Sequence, residues 1–221
     1  MSAQNTAQNL EKKVQDIYGF LDIAHPEAGC ALNFSTPLEL LIASILSAQC
    51  TDERVNTVTE KLFQKYTLAS DYAQADIETL EEEVHPTGFY RNKAKAIKDC
   101  TIALVERFDG SIPDTMEDLV SLPGIGRKTA NLVRSCAFKM PGIIVDTHVL
   151  RLSGRLGLSD KKNADRVEMD LRAITPEDRW SQLSYLLIFH GRKICKAKKP
   201  LCEKCPVTDL CVYFGERNAP V

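Results

Sequence analysis

Lys128 and Asp146 are the two residues whose types and settings could support covalent chemistry. Lys128 follows the run LPGIGR (residues 122–127) and is predicted in the first turn of a helix. A cation there opposes the helix macrodipole, which favours the neutral, nucleophilic amine. Asp146 follows the apolar residues 143–145 and is a candidate N-cap of a helix beginning at Thr147, facing any cleft before it. The alternatives are a solvated surface lysine and an aspartate that only caps.

The turn that precedes Lys128 has features suited to binding an anion. Pro123 ends one helical pattern, because it lacks an N–H and disfavours helical geometry in the residue before it. Gly124 and Gly126 can adopt positive φ without a Cβ clash. The first N–H groups of the next helix have no partner within it and attract anions. The turn therefore predicts a sequence-independent clamp for a nucleic-acid backbone.

The eight cysteines fall into two groups. Four have the spacing C-x6-C-x2-C-x5-C, namely Cys195, Cys202, Cys205 and Cys211. Four soft ligands this close predict one metal centre, and the chemistry alone leaves both zinc and an iron–sulfur cluster open. The others are scattered and are predicted to be small buried apolar residues, namely Cys30, Cys50, Cys100 and Cys136.

Apolar residues recur with helical spacing along most of the chain. Val14, Ile17 and Leu21 share one face of an N-terminal helix, and residues 37–49 (PLELLIASILSAQ) predict a central buried helix capped by Ser35 or Thr36. Further helices are predicted at about residues 51–66, 76–84, 92–108, 115–120, 126–137, 147–156, 162–174 and 176–189. No run alternates like a strand, so the predicted fold class is all-α.

Composition limits the classes of function. The 221 residues can bury a substantial core in one or two domains, and their net charge of −2 excludes a global polycation. A nucleic-acid binder of this balance must concentrate its positive charge locally. Six basic residues concentrate around the first cysteines of the motif, and they form either a phosphate-binding surface or a solvated loop. They are Arg192, Lys193, Lys196, Lys198, Lys199 and Lys204.

Membrane and secretory signals are not apparent in the sequence. No apolar run approaches the roughly 20 residues that span a bilayer. The N-terminus MSAQNTAQNL contains no signal-peptide core. We therefore expect a cytoplasmic protein without a membrane partner, associated with the nucleoid if bacterial, and no disulfides, since such compartments are reducing.

The runs LPGIGRKTAN (residues 122–131) and VDTHVLR (residues 145–151) resemble the helix-hairpin-helix signature and catalytic loop of the endonuclease III family of DNA glycosylases. The similarity extends from about residue 35 to 211. One departure is that Pro141 and Gly142 stand further from Asp146 than the glycine and proline of the family's loop stand from its aspartate. The cysteine spacing is similar to the family's [4Fe–4S] loop, which favours iron–sulfur over zinc.

This resemblance implies a fold of two helical domains flanking a DNA-binding cleft. Residues 31–140 would form a six-helix barrel containing the hairpin, and residues 1–30 and 141–221 a discontinuous iron–sulfur cluster domain. Lys128 would be the amine that attacks the sugar carbon, with Asp146 as its charged helper. The implied enzyme is a monomeric, bifunctional DNA glycosylase and AP lyase that removes oxidised pyrimidines from duplex DNA.

The resemblance also implies DNA contacts. Because chemistry at the glycosidic carbon requires the nucleotide to be flipped out, side chains must fill the gap, and Gln49 and Phe89 match the family's inserted positions. Phe89 departs from the usual aliphatic wedge, and its alternative is a core position beside Tyr90. Phosphate contacts are predicted for Leu122, Gly124, Gly126, Arg127, Lys198 and Lys199. Arg127 and Arg151 are phosphate or structural partners, and His148 is predicted to be a packed helix residue.

Two other functions stay open at this level. An adenine-excising relative shares the hairpin, aspartate and cluster, but lacks a lysine at the position of Lys128 and carries an additional C-terminal domain. A non-catalytic helix-hairpin-helix DNA-binding protein with a structural metal is the alternative from a different class. Covalent trapping on abasic-site DNA separates a lyase from such a binder.

Overall fold

The computed structural model describes residues 3–218, which contain α-helices, short 3₁₀ turns and loops but no β-strand. The all-α prediction is therefore confirmed. The α-helices of this range are α1 (Ala3–Ala24), α2 (Pro37–Leu46), α3 (Asp52–Lys65), α4 (Ala69–Gln74), α5 (Ile77–Val84), α6 (Tyr90–Phe108), α7 (Met116–Val120), α8 (Arg127–Cys136), α9 (Thr147–Leu156), α10 (Ala164–Ile174), α11 (Trp180–Lys193) and α12 (Val212–Asn218). None of these described helices combines the length and apolar character needed to cross a bilayer.

The chain folds into two compact units. One unit consists of residues 3–29 and 141–218 and contains α1 and α9 to α12. The other consists of residues 30–140 and contains α2 to α8. We refer to them as the terminal unit and the central unit.

Helix α2 provides much of the core of the central unit. Leu40, Leu41 and Ile42 are completely buried, in agreement with a helix that is apolar on nearly every side. Thr36 caps its start: Thr36 Oγ1 accepts from the backbone N–H of Glu39 at 3.2 Å, while the Glu39 carboxylate accepts from that of Ser35 at 2.5 Å. These two bonds fix where the helix begins.

Several helix boundaries differ from the sequence-based prediction. Helix α2 ends at Leu46, three residues early, because the chain turns through a left-handed residue at Gln49. Helices α4 and α12 were not predicted, since six or seven residues are too few for a clear period. Helix α11 begins at Trp180 because residues 177–179 form a 3₁₀ turn. The N-terminal helix α1, whose first residue the sequence pattern does not predict, begins at Ala3.

Helices α9 and α11 approach closely in the terminal unit. A Cβ added at Gly191 would lie 2.9 Å from both Cβ and Nδ1 of His148, so only glycine fits at this crossing. His148 is half-buried there, in agreement with its prediction as a packed helix residue, and burial lowers its pKa.

The scattered cysteines only partly follow their prediction. Cys100 and Cys136 are buried, but Cys30 and Cys50 are only partly buried, which corrects the expectation that all four lie in the core. Both of these exceptions lie in connections, where the helical periodicity that predicts burial is absent.

Candidate active site and metal centre

The hairpin before Lys128 is built by α7, a tight turn and α8. Thr115 caps α7 by accepting from the N–H of Asp118 at 3.1 Å. Leu122 and Ile125 are 2% and 5% exposed and anchor the turn in the core. Because the side chain of Leu122 is buried, the phosphate contact predicted for this residue would be made by its backbone.

The two hairpin glycines have different roles. Gly124 has φ +77°, the left-handed conformation that favours glycine. Gly126 does not: its φ of −98° is extended, and it is the N-cap of α8. A Cβ at Gly126 would meet no atom within 4 Å, so the space over this helix start is open. The exposed backbone N–H groups of the first turn therefore suit an anion.

Four of the predicted site residues line one pocket of the central unit. Lys128 is the second residue of α8, is exposed, and lines an open pocket of about 450 Å³ together with Gln49 and Phe89. Gly124 lines the same pocket. The structure thus brings an amine, a hairpin glycine and both predicted inserting residues to one opening.

Gln49 and Phe89 share an uncommon backbone conformation. Their φ values are +52° and +49°, in the left-handed region that costs a residue with a Cβ about 1–2 kcal/mol. Phe89 is 61% exposed, which excludes the alternative that it is a core residue beside Tyr90. Both side chains are therefore presented on the surface by strained turns that the surrounding structure must hold in place.

Lys93 is a residue of this pocket that the sequence analysis missed. It is 4% exposed, and its Nζ donates to the carbonyl of Thr87 at 2.8 Å, in the turn immediately before Gly88 and Phe89. Burial lowers the pKa of this amine. No local sequence pattern distinguishes a buried lysine from a solvated one.

Asp146 is the N-cap of α9 in the terminal unit, as predicted. Its Oδ1 accepts from the N–H groups of His148 and Val149, each at 2.8 Å. These bonds fix the carboxylate at the start of the helix, where the positive end of the dipole stabilises a negative charge. Asp146 is partly exposed, so the fixed charge stays accessible from solvent.

Arg151 has a structural role. Its Nη2 donates to the carbonyls of Gly191 and Cys195 at 3.1 and 3.0 Å, which joins α9 to the end of α11. Of the two roles that the sequence left open for Arg151, these contacts support the structural one.

The four clustered cysteines line one pocket of the terminal unit, among apolar side chains such as Leu152, Leu156 and Phe214. Within residues 3–218, no three or more Cys, His, Asp or Glu side chains converge on a single ion. The four cysteines around this pocket match the ligand set of an iron–sulfur cluster, in which each thiolate binds a different iron atom. Burial raises the pKa of Cys205 to about 11, so metal binding must displace its proton.

Basic and aromatic groups surround this centre. Arg155 Nη1 donates to Cys195 Sγ at 3.3 Å, and His190 Nε2 lies 3.3 Å from Cys205 Sγ. Burial and the neighbouring His25 lower the pKa of His190 to about 4. Arg155 also holds the following loop through the carbonyls of Lys196 and Ala197, at 2.9 and 2.8 Å. Lys198 and Lys199 are exposed on that loop.

Comparison with known families shows the family of this chain and decides between zinc and an iron–sulfur cluster. The family model of HhH-GPD superfamily base excision DNA repair proteins matches residues 42–177, which include the hairpin, Lys128 and Asp146. The chain belongs to the HhH-GPD superfamily. The iron–sulfur binding domain of endonuclease III matches residues 195–211, which begin and end at the outer cysteines of the motif. The centre of this superfamily member is therefore a [4Fe–4S] cluster, and zinc is excluded.

Individual relatives of this HhH-GPD protein agree with the family assignment. Endonuclease III of Synechocystis sp. is 48% identical over 202 residues, covering 91% of this chain and 92% of the relative. Endonuclease III of Escherichia coli K12 is 40% identical over 86% of this chain and 90% of the relative. A solved structure of a trapped endonuclease III–DNA covalent intermediate matches with a TM-score of 0.89 and 42% identity, covering 94% and 98% of the two chains. The recognition based on the two sequence motifs is confirmed.

Proposed function

We propose that this chain is a bifunctional DNA glycosylase and AP lyase of base excision repair, which acts as a monomer on oxidised pyrimidines in duplex DNA. The observation that carries the proposal is the exposed amine of Lys128 at a helix start, in a pocket that also presents Gln49 and Phe89. An amine nucleophile forms a covalent intermediate with the sugar, and a similar endonuclease III has been captured as a covalent DNA intermediate. A cytoplasmic location, with the nucleoid in a bacterium, accords with this substrate.

DNA binding begins at the phosphodiester backbone. The open helix start at Gly126, with Gly124 and Arg127 beside it, binds a phosphate through backbone N–H groups. Lys198 and Lys199 add phosphate contacts from the loop that Arg155 holds. None of these contacts depends on base sequence, which suits an enzyme that must find damage anywhere.

The target nucleotide then leaves the base stack. Extrusion costs a few kcal/mol of unstacking and unpairing, which inserted side chains partly restore. Gln49 and Phe89 carry out this insertion, because both are exposed beside the pocket of Lys128. The aromatic ring of Phe89 stacks on the exposed neighbouring base, a contact that tolerates any sequence.

The chemical step starts with the neutral amine of Lys128. It attacks the anomeric carbon of the flipped nucleotide, and the C–N bond to the damaged base breaks with its electron pair leaving on the base. The Lys128 nitrogen then forms the C=N bond as the C1′–O4′ bond breaks, and O4′ takes up a proton. The resulting open-chain protonated Schiff base acidifies the adjacent sugar carbon, and loss of that proton expels the 3′ phosphate by β-elimination. Asp146 stabilises the cationic sugar and helps to remove a proton from Lys128.

The cluster has a structural role in this scheme. Cys195, Cys202, Cys205 and Cys211 bind its iron atoms. When bound, it supplies a rigid crosslink for a loop that has little secondary structure beyond two 3₁₀ turns. This rigidity fixes the exposed lysines of the loop for phosphate binding.

Cleavage assays on lesion-bearing duplexes test the function. We expect strand cleavage at abasic sites and at oxidised pyrimidines, with a 3′ unsaturated aldehyde and a 5′ phosphate as the new ends, and no cleavage of undamaged duplex. Adenine removed opposite an oxidised guanine, without strand cleavage, would instead favour the adenine-excising relative. Binding without any cleavage would favour the non-catalytic protein.

Phe89→Ala tests the inserted wedge. Because Phe89 is 61% exposed, its removal should leave stability nearly unchanged. Base–aromatic stacking is worth about 1–3 kcal/mol, so single-turnover excision from duplex DNA should fall by roughly 5- to 150-fold. Cleavage of an abasic site in single-stranded DNA, where no stack needs to be filled, should be unaffected.

The matched control is Phe20→Ala, which removes an exposed phenylalanine of α1 that is 49% exposed. We expect this variant to excise at the wild-type rate. Equal effects of the two substitutions, or no effect of Phe89→Ala, would contradict insertion by Phe89.

A further inference from the structure

Two buried histidines connect the N-terminal part of the terminal unit to one cysteine of the metal centre. His25 Nε2 lies 3.0 Å from His190 Nδ1, and His190 Nε2 lies 3.3 Å from Cys205 Sγ. The two histidines are 4% and 1% exposed. Their ring planes are tilted by 56° at a centroid distance of 5.3 Å, so the two rings form a hydrogen bond through their nitrogen atoms and do not stack.

Iron binding determines which atoms of this chain carry protons. A thiolate bound to iron has no proton and can only accept a hydrogen bond. His190 Nε2 must therefore carry the proton that points at Cys205. A neutral imidazole has a single N–H, so His190 Nδ1 is an acceptor, and the donor facing it must be His25 Nε2. His25 therefore donates to His190, and His190 donates to the Cys205 sulfur.

We propose that His25 and His190 are positioning residues for the [4Fe–4S] cluster: His25 fixes the tautomer of His190, and His190 donates a hydrogen bond to the Cys205 thiolate that raises the reduction potential of the cluster. This inference rests on the proposed cluster ligation by the four cysteines. A hydrogen bond to a ligand sulfur stabilises the more negatively charged, reduced state, which is how surrounding donors tune such clusters.

The contact of His190 with Cys205 differs from the side-chain contact that Arg155 makes with Cys195. Arg155 also donates to a cysteine, but it holds two loop carbonyls as well, so its removal would change the loop and the cluster together. His25 does not touch a cysteine and acts only through His190. Substituting His25 therefore separates the effect of the hydrogen bond on the cluster potential from changes in the positions of the cysteine ligands.

The test compares three variants of the iron-loaded protein. His25→Leu removes the donor that fixes the tautomer, His190→Leu removes the donor to sulfur, and His25→Gln keeps an N–H donor close to the position of His25 Nε2. The cluster potential is measured by protein-film voltammetry. The Fe–S(Cys) stretching frequencies are measured by resonance Raman spectroscopy in H₂O and D₂O, since an exchangeable N–H···S bond produces a solvent-isotope shift.

We expect His25→Leu and His190→Leu to shift the potential in the negative direction and to lose part of the isotope shift, while His25→Gln retains both wild-type values. A wild-type potential and isotope shift in His25→Leu would overturn the proposal, as would equal shifts in His25→Leu and His25→Gln. If His190→Leu does not retain iron, the comparison of His25→Leu with His25→Gln tests the proposal by itself. Wild-type protein free of iron would refute cluster ligation by the four cysteines. That outcome differs from failure of the histidine proposal, in which the cluster is present but its potential does not depend on His25.

Discussion

Lys128→Gln will lose strand cleavage at abasic sites and retain DNA binding. Glutamine cannot form a Schiff base, so both covalent base displacement and β-elimination lose their nucleophile. The phosphate contacts at the hairpin backbone and at Lys198 and Lys199 remain, so the dissociation constant for abasic-site duplex should change by less than about tenfold. Because Lys128 is exposed, Tm should stay within about 2 °C of the wild type.

The measurement combines single-turnover cleavage with fluorescence anisotropy on the same duplex. Lys95→Gln is the matched control, because Lys95 is another exposed lysine of the central unit, paired with Asp99 on α6 at 2.6 Å. We expect it to cleave at the wild-type rate. Loss of binding together with cleavage in Lys128→Gln would show that the lysine is a phosphate contact rather than a nucleophile.

Asp146→Asn will slow base excision without destabilising the fold. Asparagine caps a helix as well as aspartate does, so the two bonds from His148 and Val149 to Oδ1 can be kept. What the variant loses is the negative charge. Removing one preorganised electrostatic group typically costs 10²- to 10³-fold in rate, and we expect a fall of about that size in excision.

Asp76→Asn is the control for this substitution. Asp76 caps α5 by accepting from the N–H of Thr79 at 2.9 Å, so the same change is made at a cap that has no chemical role. It should leave excision unchanged. Normal excision by Asp146→Asn with an unchanged Tm would reduce Asp146 to a capping residue, which was the alternative in the sequence analysis.

Local signals predicted the parts of the candidate site that one segment determines. Pro123 and the glycines on either side of Ile125 predicted the hairpin, and the position of Asp146 before Thr147 predicted the N-cap that the structure contains. The sequence did not distinguish the two glycines: Gly124 adopts a positive φ, whereas Gly126 is extended. A glycine in a sequence indicates conformational freedom but not which conformation the chain adopts.

Contacts between distant segments could not be predicted in this way. His25 and His190 are separated by 165 residues, and neither stands in a pattern that indicates the other. From its sequence position, Lys93 would be expected to be a solvated lysine, but the fold places the carbonyl of Thr87 beside its amine. Burial of a polar group depends on tertiary packing, which residue spacing within one segment does not report.

Borohydride trapping followed by peptide mapping tests the central claim most directly. The wild-type protein is incubated with abasic-site duplex, the Schiff base is reduced, and the modified peptide is sequenced by mass spectrometry. We expect one adduct, on the Nζ of Lys128, and none with Lys128→Gln. An adduct on a different amine, or efficient trapping of the Lys128→Gln variant, would contradict that claim.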